Sequence, residues 1–312
     1  MTLPSSLPGR PLRLGTRGSP LALAQARMTA EALCARHGWE SAMIETVVVQ
    51  TSGDRIQDRA LAEIGGKALW TKELDRALLA GEIDFAVHSM KDVETLRPDA
   101  IRIAAMLPRA DVRDRLVGVD SFAALPERPV VGSSSPRRAA QVKRLRPDAE
   151  VILFRGNVAT RLAKLAAGEA HATLLAAAGL DRLGQHDVGT AIPLDVMLPA
   201  PSQGAVGIET LSDNGEMLAL LAAISDADTY DCVMAERAVL KGLSGTCHSP
   251  IAALAQLDGG AIVLRAEILS PDGQEVVREE RVIARGASAE AEDLGRSLLE
   301  RASPELRALF EA

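Results

Sequence analysis

The chain has 312 residues, of which 47% are apolar and 25% charged, and its formal net charge is −7. This length favours two or three domains, while aromatic residues at 2% and the negative charge argue against nucleic-acid binding. The sequence shows no apolar run of a membrane span and no secretory signal, and its three cysteines, Cys34, Cys232 and Cys247, form no framework pattern. We therefore expect a cytoplasmic protein with no nucleic-acid or membrane partner.

The first predicted elements are a short strand over 12–15 and a long helix that ends near Gly38. Ser19 is suited to cap this helix, and Pro20 is suited to its first position. Gly38 is suited to the stop at its C-terminus.

Strands continue to alternate with helices over the first two-thirds of the chain. This alternation predicts mainly parallel sheets with helices on both faces, and in such sheets binding sites lie at the carboxyl ends of the strands. The further predicted strands are 47–50, 83–87, 130–131, 151–154 and 173–176, and helices are predicted to end near Ala80 and Arg144.

The remaining segments differ in character. The polar stretch 52–66 has no clear period and is interpreted as a mobile loop, and the proline-rich passage 193–201 as a hinge or crossover. Beyond residue 226 we predict an α+β region. Its predicted elements are a helix over 230–241, strands near 251–257, 261–269 and 275–284, and a final helix over 288–301.

Seven arginines share one predicted position, at a strand end or in the first turn of the helix that follows. At one sheet edge they would converge beside helix N-termini, which favour anions, and arginine pairs with carboxylates in bidentate fashion. The expected ligand therefore carries several carboxylates; phosphate also fits, but no phosphate-binding glycine motif is present. The arginines are Arg13, Arg17, Arg137, Arg138, Arg155, Arg161 and Arg182, with hydroxyl donors at Ser19, Ser133, Ser134 and Ser135.

Asp92 is a carboxylate among these cations, after the strand 83–87. It is either a structural partner of Lys91 or an arginine, or a group that stabilises a cation formed during a reaction and helps in proton transfer. The second role is worth roughly 4 kcal/mol at about 4 Å before desolvation. His88 is expected to be a packed, hydrogen-bonded residue, and Cys247, in a flexible loop, taken alone indicates only an inert thiol.

Eight short segments resemble the porphobilinogen deaminase family and occur in family order over about residues 12–251. Each is weak alone, but the ordered set is highly specific. The segments are LGTRGSPLA (14–22), GGK (65–67), VHSMKD (87–92), GSSSPRR (132–138), RGN (155–157), AAAGL (176–180), QGAVG (203–207) and GTC (245–247).

The resemblance implies an α/β fold of two doubly wound domains, like type II periplasmic binding proteins, with a smaller C-terminal α+β domain. Domain 1 would comprise 1–106 plus 202–222 and carry the catalytic aspartate. Domain 2, over 107–201, would carry the carboxylate-binding arginines, and domain 3, over 223–312, the cofactor-bearing cysteine loop. The family expectation is a monomer.

The resemblance also implies an activity, that of a hydroxymethylbilane synthase, a transferase of haem and porphyrin biosynthesis. Such enzymes join four molecules of porphobilinogen head to tail with loss of ammonia on a dipyrromethane primer. Hydrolysis then releases the linear tetrapyrrole hydroxymethylbilane. Cys247 would hold the dipyrromethane cofactor by a thioether bond, and Asp92 would stabilise the azafulvene cation left when ammonia departs. No metal is implied.

Further site residues follow from the resemblance by position. Two departures from the family pattern concern Glu94, where proline is common, and Ser202, where glycine is common. Ser89, Lys91, Ser135, Arg137 and Arg138 would hold the cofactor, and Arg13, Arg17, Ser19, Lys67, Arg155, Arg161, Arg182 and Gln203 would bind the incoming substrate and the growing chain.

Two other classes of protein remain as alternatives. A non-catalytic binding protein of the same fold would explain the arginines, but it gives Asp92 and Cys247 no particular role. A ligand-sensing domain of a transcription regulator would need a basic helix-turn-helix segment, which neither end of the sequence shows. Ammonia release from porphobilinogen separates an enzyme from a binding protein.

Overall fold

The computed structural model describes residues 9–50, 71–245 and 249–310. They form two compact units. Unit 1 contains the described residues up to 110 together with 205–230, and unit 2 contains 111–204 and the described residues from 231 onwards. Unit 2 thus includes most of the predicted domains 2 and 3, and the predicted three-domain division stays a prediction.

Strands and helices alternate along the chain. Up to residue 145 the elements are β1 (Leu12–Thr16), α1 (Pro20–His37), β2 (Ile44–Val48), α2 (Lys72–Leu79), β3 (Phe85–Ser89), β4 (Ile101–Met106), β5 (Asp114–Val117), β6 (Val130–Gly132) and α3 (Pro136–Leu145). Up to residue 222 they are β7 (Glu150–Ile152), α4 (Val158–Ala166), β8 (Ala172–Ala176), α5 (Ala177–Arg182), β9 (Thr190–Ala191), β10 (Val206–Leu211) and α6 (Gly215–Ala222). The remaining elements are α7 (Ala227–Gly242), β11 (Ile251–Asp258), β12 (Ala261–Leu269), β13 (Val276–Ala284), α8 (Ser288–Arg301) and α9 (Pro304–Arg307).

Unit 1 is built on a five-stranded sheet of order β2-β1-β3-β10-β4. Strand β1 pairs in parallel with β2 and β3, whereas β10 is antiparallel to β3 and β4. Side chains alternate across β3, so Phe85 and Val87 pack in the cluster that includes α1 and α6, and Ala86 packs with α2. Helices therefore cover both faces, as predicted, but the sheet is mixed rather than mainly parallel.

Unit 2 contains a second five-stranded sheet, of order β7-β6-β8-β5-β9, which repeats the topology of the first. In each sheet three consecutive strands, β1–β3 or β6–β8, stand in the order second, first, third, and the strand beside the third, β10 or β5, is antiparallel to it. Val142 of α3 packs on one face, and Leu162 of α4 and Leu180 of α5 pack on the other.

A three-stranded antiparallel sheet of order β11-β12-β13 forms the rest of unit 2. Val239 of α7 and Leu294 of α8 pack against Leu264 of β12 in its core. The three strands and the last long helix lie where the sequence predicts them, which confirms the fold class of two α/β sheets followed by a smaller α+β region. Among the described residues, no helix is long and apolar enough to cross a membrane.

The helix ends follow the predicted local chemistry. Ser19 accepts a hydrogen bond from the backbone N–H of Ala22 at the start of α1, and Pro20 occupies the first position of the helix. Gly38 ends α1 with a φ of 67°. The predicted loop 52–66 and Lys67 lie outside the described residues.

Candidate active site

Five of the predicted site residues follow strands at the same edge of the unit 1 sheet. Strands β1 and β3 are parallel neighbours, so their carboxyl ends, Thr16 and Ser89, point to one edge. Gln25 of α1 links the two connections, because its Nε2 donates a 3.0 Å hydrogen bond to Ser89 Oγ. The residues at this edge are Arg17, Ser19, Ser89, Lys91 and Asp92.

Asp92 ends a single 3₁₀ turn, Met90–Asp92, directly after β3. The turn is held against the start of β10. The backbone N–H of Met90 donates to the carbonyl of Ala205 at 3.1 Å, and the Met90 side chain packs on Gly207. A Cβ at Gly207 would lie 2.0 Å from Met90 Sδ, so only glycine allows this approach. The partly exposed Asp92 carboxylate makes no hydrogen bond or ion pair with any residue that the structure describes.

Arg13 is a correction to the predicted site. It lies within β1, and its guanidinium turns towards the amino ends of the strands, where it donates to the carbonyl of Gly81 and approaches Asp84 at 3.5 Å. Asp84 also accepts from Arg10 and immediately precedes β3. At about 3.3 Å per residue, Arg13 starts roughly 10 Å from the carboxyl edge. These contacts hold the Arg13 guanidinium at the amino end of the sheet.

The second set of predicted residues lies at the carboxyl edge of the five-stranded sheet of unit 2. Ser135 caps α3 by accepting from the backbone N–H of Arg138 at 3.4 Å, and Ser133 Oγ accepts from the N–H of Ser135 at 3.2 Å. With Pro136 in the first helical position, these contacts set both Arg137 and Arg138 in the first turn, as predicted.

Asp114 is the shared acceptor of this edge. Its carboxylate accepts from Arg137 Nη2 at 2.9 Å and from Arg138 Nη2 at 2.6 Å. Gln203 Nε2 donates to it at 2.9 Å. Burial lowers the pKa of the Arg137 guanidinium, and the Asp114 charge opposes that effect. All three donors and the acceptor are buried, which makes a fixed array of donors.

Asp114 is missing from the residues predicted by sequence. It starts β5, and its antiparallel pairing with Ala176 brings it to the carboxyl end of β8. This position depends on strand pairing across 62 residues and leaves no local motif. The only signal in the sequence is an acidic residue at the start of an apolar run.

The other three arginines occupy the same edge. Arg155 follows β7 and is buried. Arg161 donates from Nε to the carbonyl of Gly156 at 3.0 Å and from Nη2 to Ser134 Oγ at 3.1 Å. Arg182, at the end of α5, donates to the carbonyl of Gly204 at 2.7 Å, and burial lowers the pKa of its guanidinium.

This edge has the chemistry of a polycarboxylate site. Five of its arginines lie at or just beyond strand ends, but only Arg137 and Arg138 pair with Asp114, and the Asp181 carboxylate nearby is engaged by Arg115 at 2.8 Å. The Nε atoms of Arg137, Arg138 and Arg182 are buried without an acceptor among the described residues. Buried donors without acceptors are costly, and carboxylates of a ligand would satisfy them. Cys247 lies outside the described residues.

Comparison with known proteins decides between the classes. Residues 12–219 match the family model described as "Porphobilinogen deaminase, dipyromethane cofactor binding domain", and residues 230–303 match its C-terminal domain. The chain belongs to the porphobilinogen deaminase family. The expected family and the dipyrromethane cofactor domain are thereby confirmed.

Two porphobilinogen deaminases are similar to the chain over almost its whole length. The protein of Sphingopyxis alaskensis is 57% identical over 97% of this chain and 98% of its own length. The protein of Paracoccus denitrificans is 52% identical over 94% of each chain.

Solved periplasmic domains are also similar. A VFT2 domain of Bordetella pertussis BvgS has a TM-score of 0.40 at 16% identity and covers 69% of this chain and 85% of its own. The L-cystine solute receptor of Neisseria gonorrhoeae has a TM-score of 0.40 at 16% identity, with 68% and 85% covered.

Proposed function

We propose that this chain is a hydroxymethylbilane synthase that condenses four molecules of porphobilinogen, releases ammonia at each addition and finally releases a linear tetrapyrrole. The observation that carries this proposal is the guanidinium array around Asp114, with its unsatisfied buried Nε donors. Each pyrrole ring of the substrate bears an acetate and a propionate. A growing pyrrole chain is therefore a row of carboxylates, which is the ligand that this array fits.

We assign the dipyrromethane cofactor to Cys247 through a thioether bond, with its carboxylates held by Ser89, Lys91, Ser135, Arg137 and Arg138. When bound, this group supplies the pyrrole carbon to which new units are added. The fit rests on the Nε groups of Arg137 and Arg138, which are buried and have no acceptor among the described residues. Asp114 holds both guanidinium groups in a fixed orientation before any ligand binds.

The remaining predicted residues are assigned to the substrate and the growing chain. Arg13 is left out of this set because it is engaged at the opposite end of β1. Gln203 joins the array through Asp114, and Arg182 reaches the carbonyl of Gly204 beside it. The set comprises Arg17, Ser19, Lys67, Arg155, Arg161, Arg182 and Gln203.

Asp92 supplies negative charge where positive charge develops. As ammonia leaves the aminomethyl group of porphobilinogen, a cation forms on the substrate, and the Asp92 carboxylate, which has no partner within the described part of the chain, is available to stabilise it. The new carbon–carbon bond then releases a proton from the pyrrole carbon, and the same carboxylate is suited to assist that transfer. A non-catalytic binding protein would have no use for this group.

The first test is the intact mass of purified wild-type protein beside that of Cys247→Ala. We expect wild type to exceed its sequence mass by a linked pair of pyrroles, and Cys247→Ala to match its sequence mass. If wild type has no excess, porphobilinogen is added and the mass is measured again. An unchanged mass after that addition contradicts the proposal.

The second test measures ammonia and product. Asp92→Ala is expected to keep the fold and the bound cofactor but nearly abolish ammonia release. Arg155→Leu is expected to stall chain growth, visible as enzyme species that carry one or two added pyrroles in the mass spectrum. Wild-type turnover in Asp92→Ala would remove Asp92 from the mechanism. Location in the cytoplasm and a monomeric state are further parts of this proposal.

A further inference from the structure

One buried charged cluster fixes the chain on both sides of Asp92. We call it the Arg97 cluster; all of its members belong to unit 1, and nearly all of them are buried. It consists of Thr71, Asp75, His88, Glu94, Arg97 and Glu209.

The guanidinium of Arg97 is saturated with acceptors. Its Nε and Nη2 donate to the two carboxylate oxygens of Glu209 at 2.8 and 2.9 Å. Nη2 also donates to Asp75 at 2.5 Å. Nη1 donates to Glu94 at 2.8 Å and to Thr71 Oγ1 at 3.3 Å. These contacts use all five N–H donors of an arginine, so the side chain has a single defined position.

Glu209 joins the two flanks of the Asp92 turn. It lies on β10, between β3 and β4, and its side chain is fully buried. Its Oε2 lies 3.1 Å from Nε2 of His88, four residues before Asp92. Arg97, on the same carboxylate, comes five residues after Asp92. One side chain of a central strand therefore fixes both ends of this segment.

Glu94 ties the turn to helix α2. It stands two residues after Asp92, and its Oε2 accepts from Thr71 Oγ1 at 2.6 Å as well as from Arg97. Thr71 heads α2, yet its hydroxyl makes no capping bond to that helix. Glu94 also departs from the proline that is common in the family, and its partner Arg97 accounts for a carboxylate at this position.

We propose that Arg97 is a positioning residue for Asp92, acting through Glu94 and the backbone of residues 93–97. The Asp92 carboxylate has no side-chain partner among the described residues, so the backbone alone sets where it stands. The backbone on its amino side is fixed by β3 and by the contact of Met90 with Ala205, and on its carboxyl side by Arg97. This inference rests on the proposed function of Asp92.

The test compares Glu94→Gln and Arg97→Lys with wild type in steady-state ammonia release from porphobilinogen. Misplacement of a reacting group by a fraction of an ångström to 1 Å lowers a rate by about 10- to 100-fold, and we expect kcat to fall about tenfold in both variants. KM and the mass of bound cofactor are expected to stay near wild type. The matched control is Arg76→Gln on α2. It breaks an exposed ion pair with Glu82, which follows the helix, and should leave kcat unchanged.

A double-mutant cycle separates positioning from a merely structural role. If Glu94 acts through Asp92, adding Glu94→Gln to Asp92→Asn lowers the residual rate no further. A second loss of the same size in the double variant would overturn the proposal. Should Arg97→Lys fail to fold, Glu94→Gln, which keeps its shape and most of its hydrogen bonds, decides the matter alone.

The outcomes also separate this inference from the proposed function. A wild-type protein that releases no ammonia after loading with porphobilinogen contradicts the proposed function itself. A normally active wild type together with a normally active Glu94→Gln contradicts only the role of Arg97.

Discussion

Asp114 accepts hydrogen bonds from Arg137, Arg138 and Gln203 at once, so one buried carboxylate orients three predicted ligand-binding side chains. The sequence predicts that both arginines stand in the first turn of α3, because Ser135 and Pro136 determine where that helix begins. It does not predict that the two arginine side chains point to Asp114, because the position of Asp114 depends on the pairing of β5 with β8, far along the chain.

Asp114→Asn is expected to destabilise the cofactor-free Cys247→Ala protein by about 3 kcal/mol or more, because it leaves two buried guanidinium groups without a counter-ion. In the cofactor-loaded protein the penalty should shrink, since ligand carboxylates then neutralise the same groups. Urea unfolding of both backgrounds measures the difference. Asp148→Asn, which weakens the pair with Arg146 outside this array, is the control, and any loss of stability it causes should be the same in both backgrounds. An equal penalty in the two backgrounds would contradict ligand binding by these arginines.

Ser202 shows why glycine is common at its position. It has a φ of 65°, in the left-handed region, and its buried hydroxyl has no partner among the described residues. Left-handed backbone costs a non-glycine residue about 1–2 kcal/mol, against about 0.4–1 kcal/mol of unfolded-chain entropy that glycine adds.

Ser202→Gly is therefore expected to raise the free energy of unfolding by about 1 kcal/mol, measured in urea. Ser244 has a φ of 51° but is exposed, so Ser244→Gly relieves the backbone without removing a buried hydroxyl. The gain from Ser202→Gly should be the larger of the two. A loss of stability in Ser202→Gly would mean that its hydroxyl has a partner that the described residues do not include.

At the scale of elements, the sequence predicts the helices and strands that have a regular apolar periodicity or recognisable capping residues. It locates β1, α1 and the strands β11 to β13 closely, whereas the predicted strand 83–87 is observed as Phe85–Ser89. Strand β10 gives no such signal, because Glu209 and Thr210 interrupt its apolar run although both are fully buried. A buried charge is compatible with a central strand only when its partners come from elsewhere, here Arg97 and His88.

The pKa of Glu209 on β10 determines part of the pH dependence of the protein's stability. Burial alone would raise the pKa of Glu209, but His88 and Arg97 outweigh it and lower that pKa to about 2. Because this folded-state pKa lies below the unfolded value of about 4.3, Glu209 stabilises the protein above pH ~4.3 by roughly 3 kcal/mol. That contribution is lost as the pH falls towards 2. Burial raises the pKa of Asp75, which acts in the opposite sense.

We expect the free energy of unfolding of wild type to fall between pH 4.5 and pH 2 more steeply than that of Glu209→Gln, in urea titrations at each pH. At pH 7 the variant should already be less stable. Glu82→Gln is the control: the hydrogen bond from Arg76 lowers the pKa of that carboxyl too, but the pair is exposed to solvent, so its removal should change the slope much less than that of Glu209. Parallel slopes for wild type and Glu209→Gln would show that the Glu209 carboxylate titrates at its ordinary pKa.

At the scale of the whole molecule, the chain carries a net charge of −7, while the carboxyl edge of the five-stranded sheet of unit 2 carries five arginines, of which two pair with Asp114. Such local positive charge destabilises the protein until anions bind, and a ligand that binds only the folded state stabilises it. The composition gives the net charge, but only the fold assembles this local excess.

Sulfate should therefore raise the melting temperature of the cofactor-free Cys247→Ala protein more than that of the cofactor-loaded wild type. Each shift is measured against chloride at the same ionic strength. Loaded wild type reports the general effect of sulfate on protein surfaces, and the excess in Cys247→Ala reports the arginine edge. One kilocalorie per mole of binding corresponds to about 2 °C. Equal shifts in the two proteins would indicate that the edge does not bind free anions.

The position of β10 has a consequence for synthesis on the ribosome. The sheet of unit 1 needs β10 between β3 and β4, and these two strands have no ladder with each other. The nascent chain therefore emerges with an open gap in its first sheet, and about 100 further residues must be translated before the gap can be filled. At about 5–20 residues per second this takes roughly 5–20 s. The strands of the five-stranded sheet of unit 2 all lie between residues 114 and 191, so they are translated during that interval. This second sheet can therefore form completely before the first.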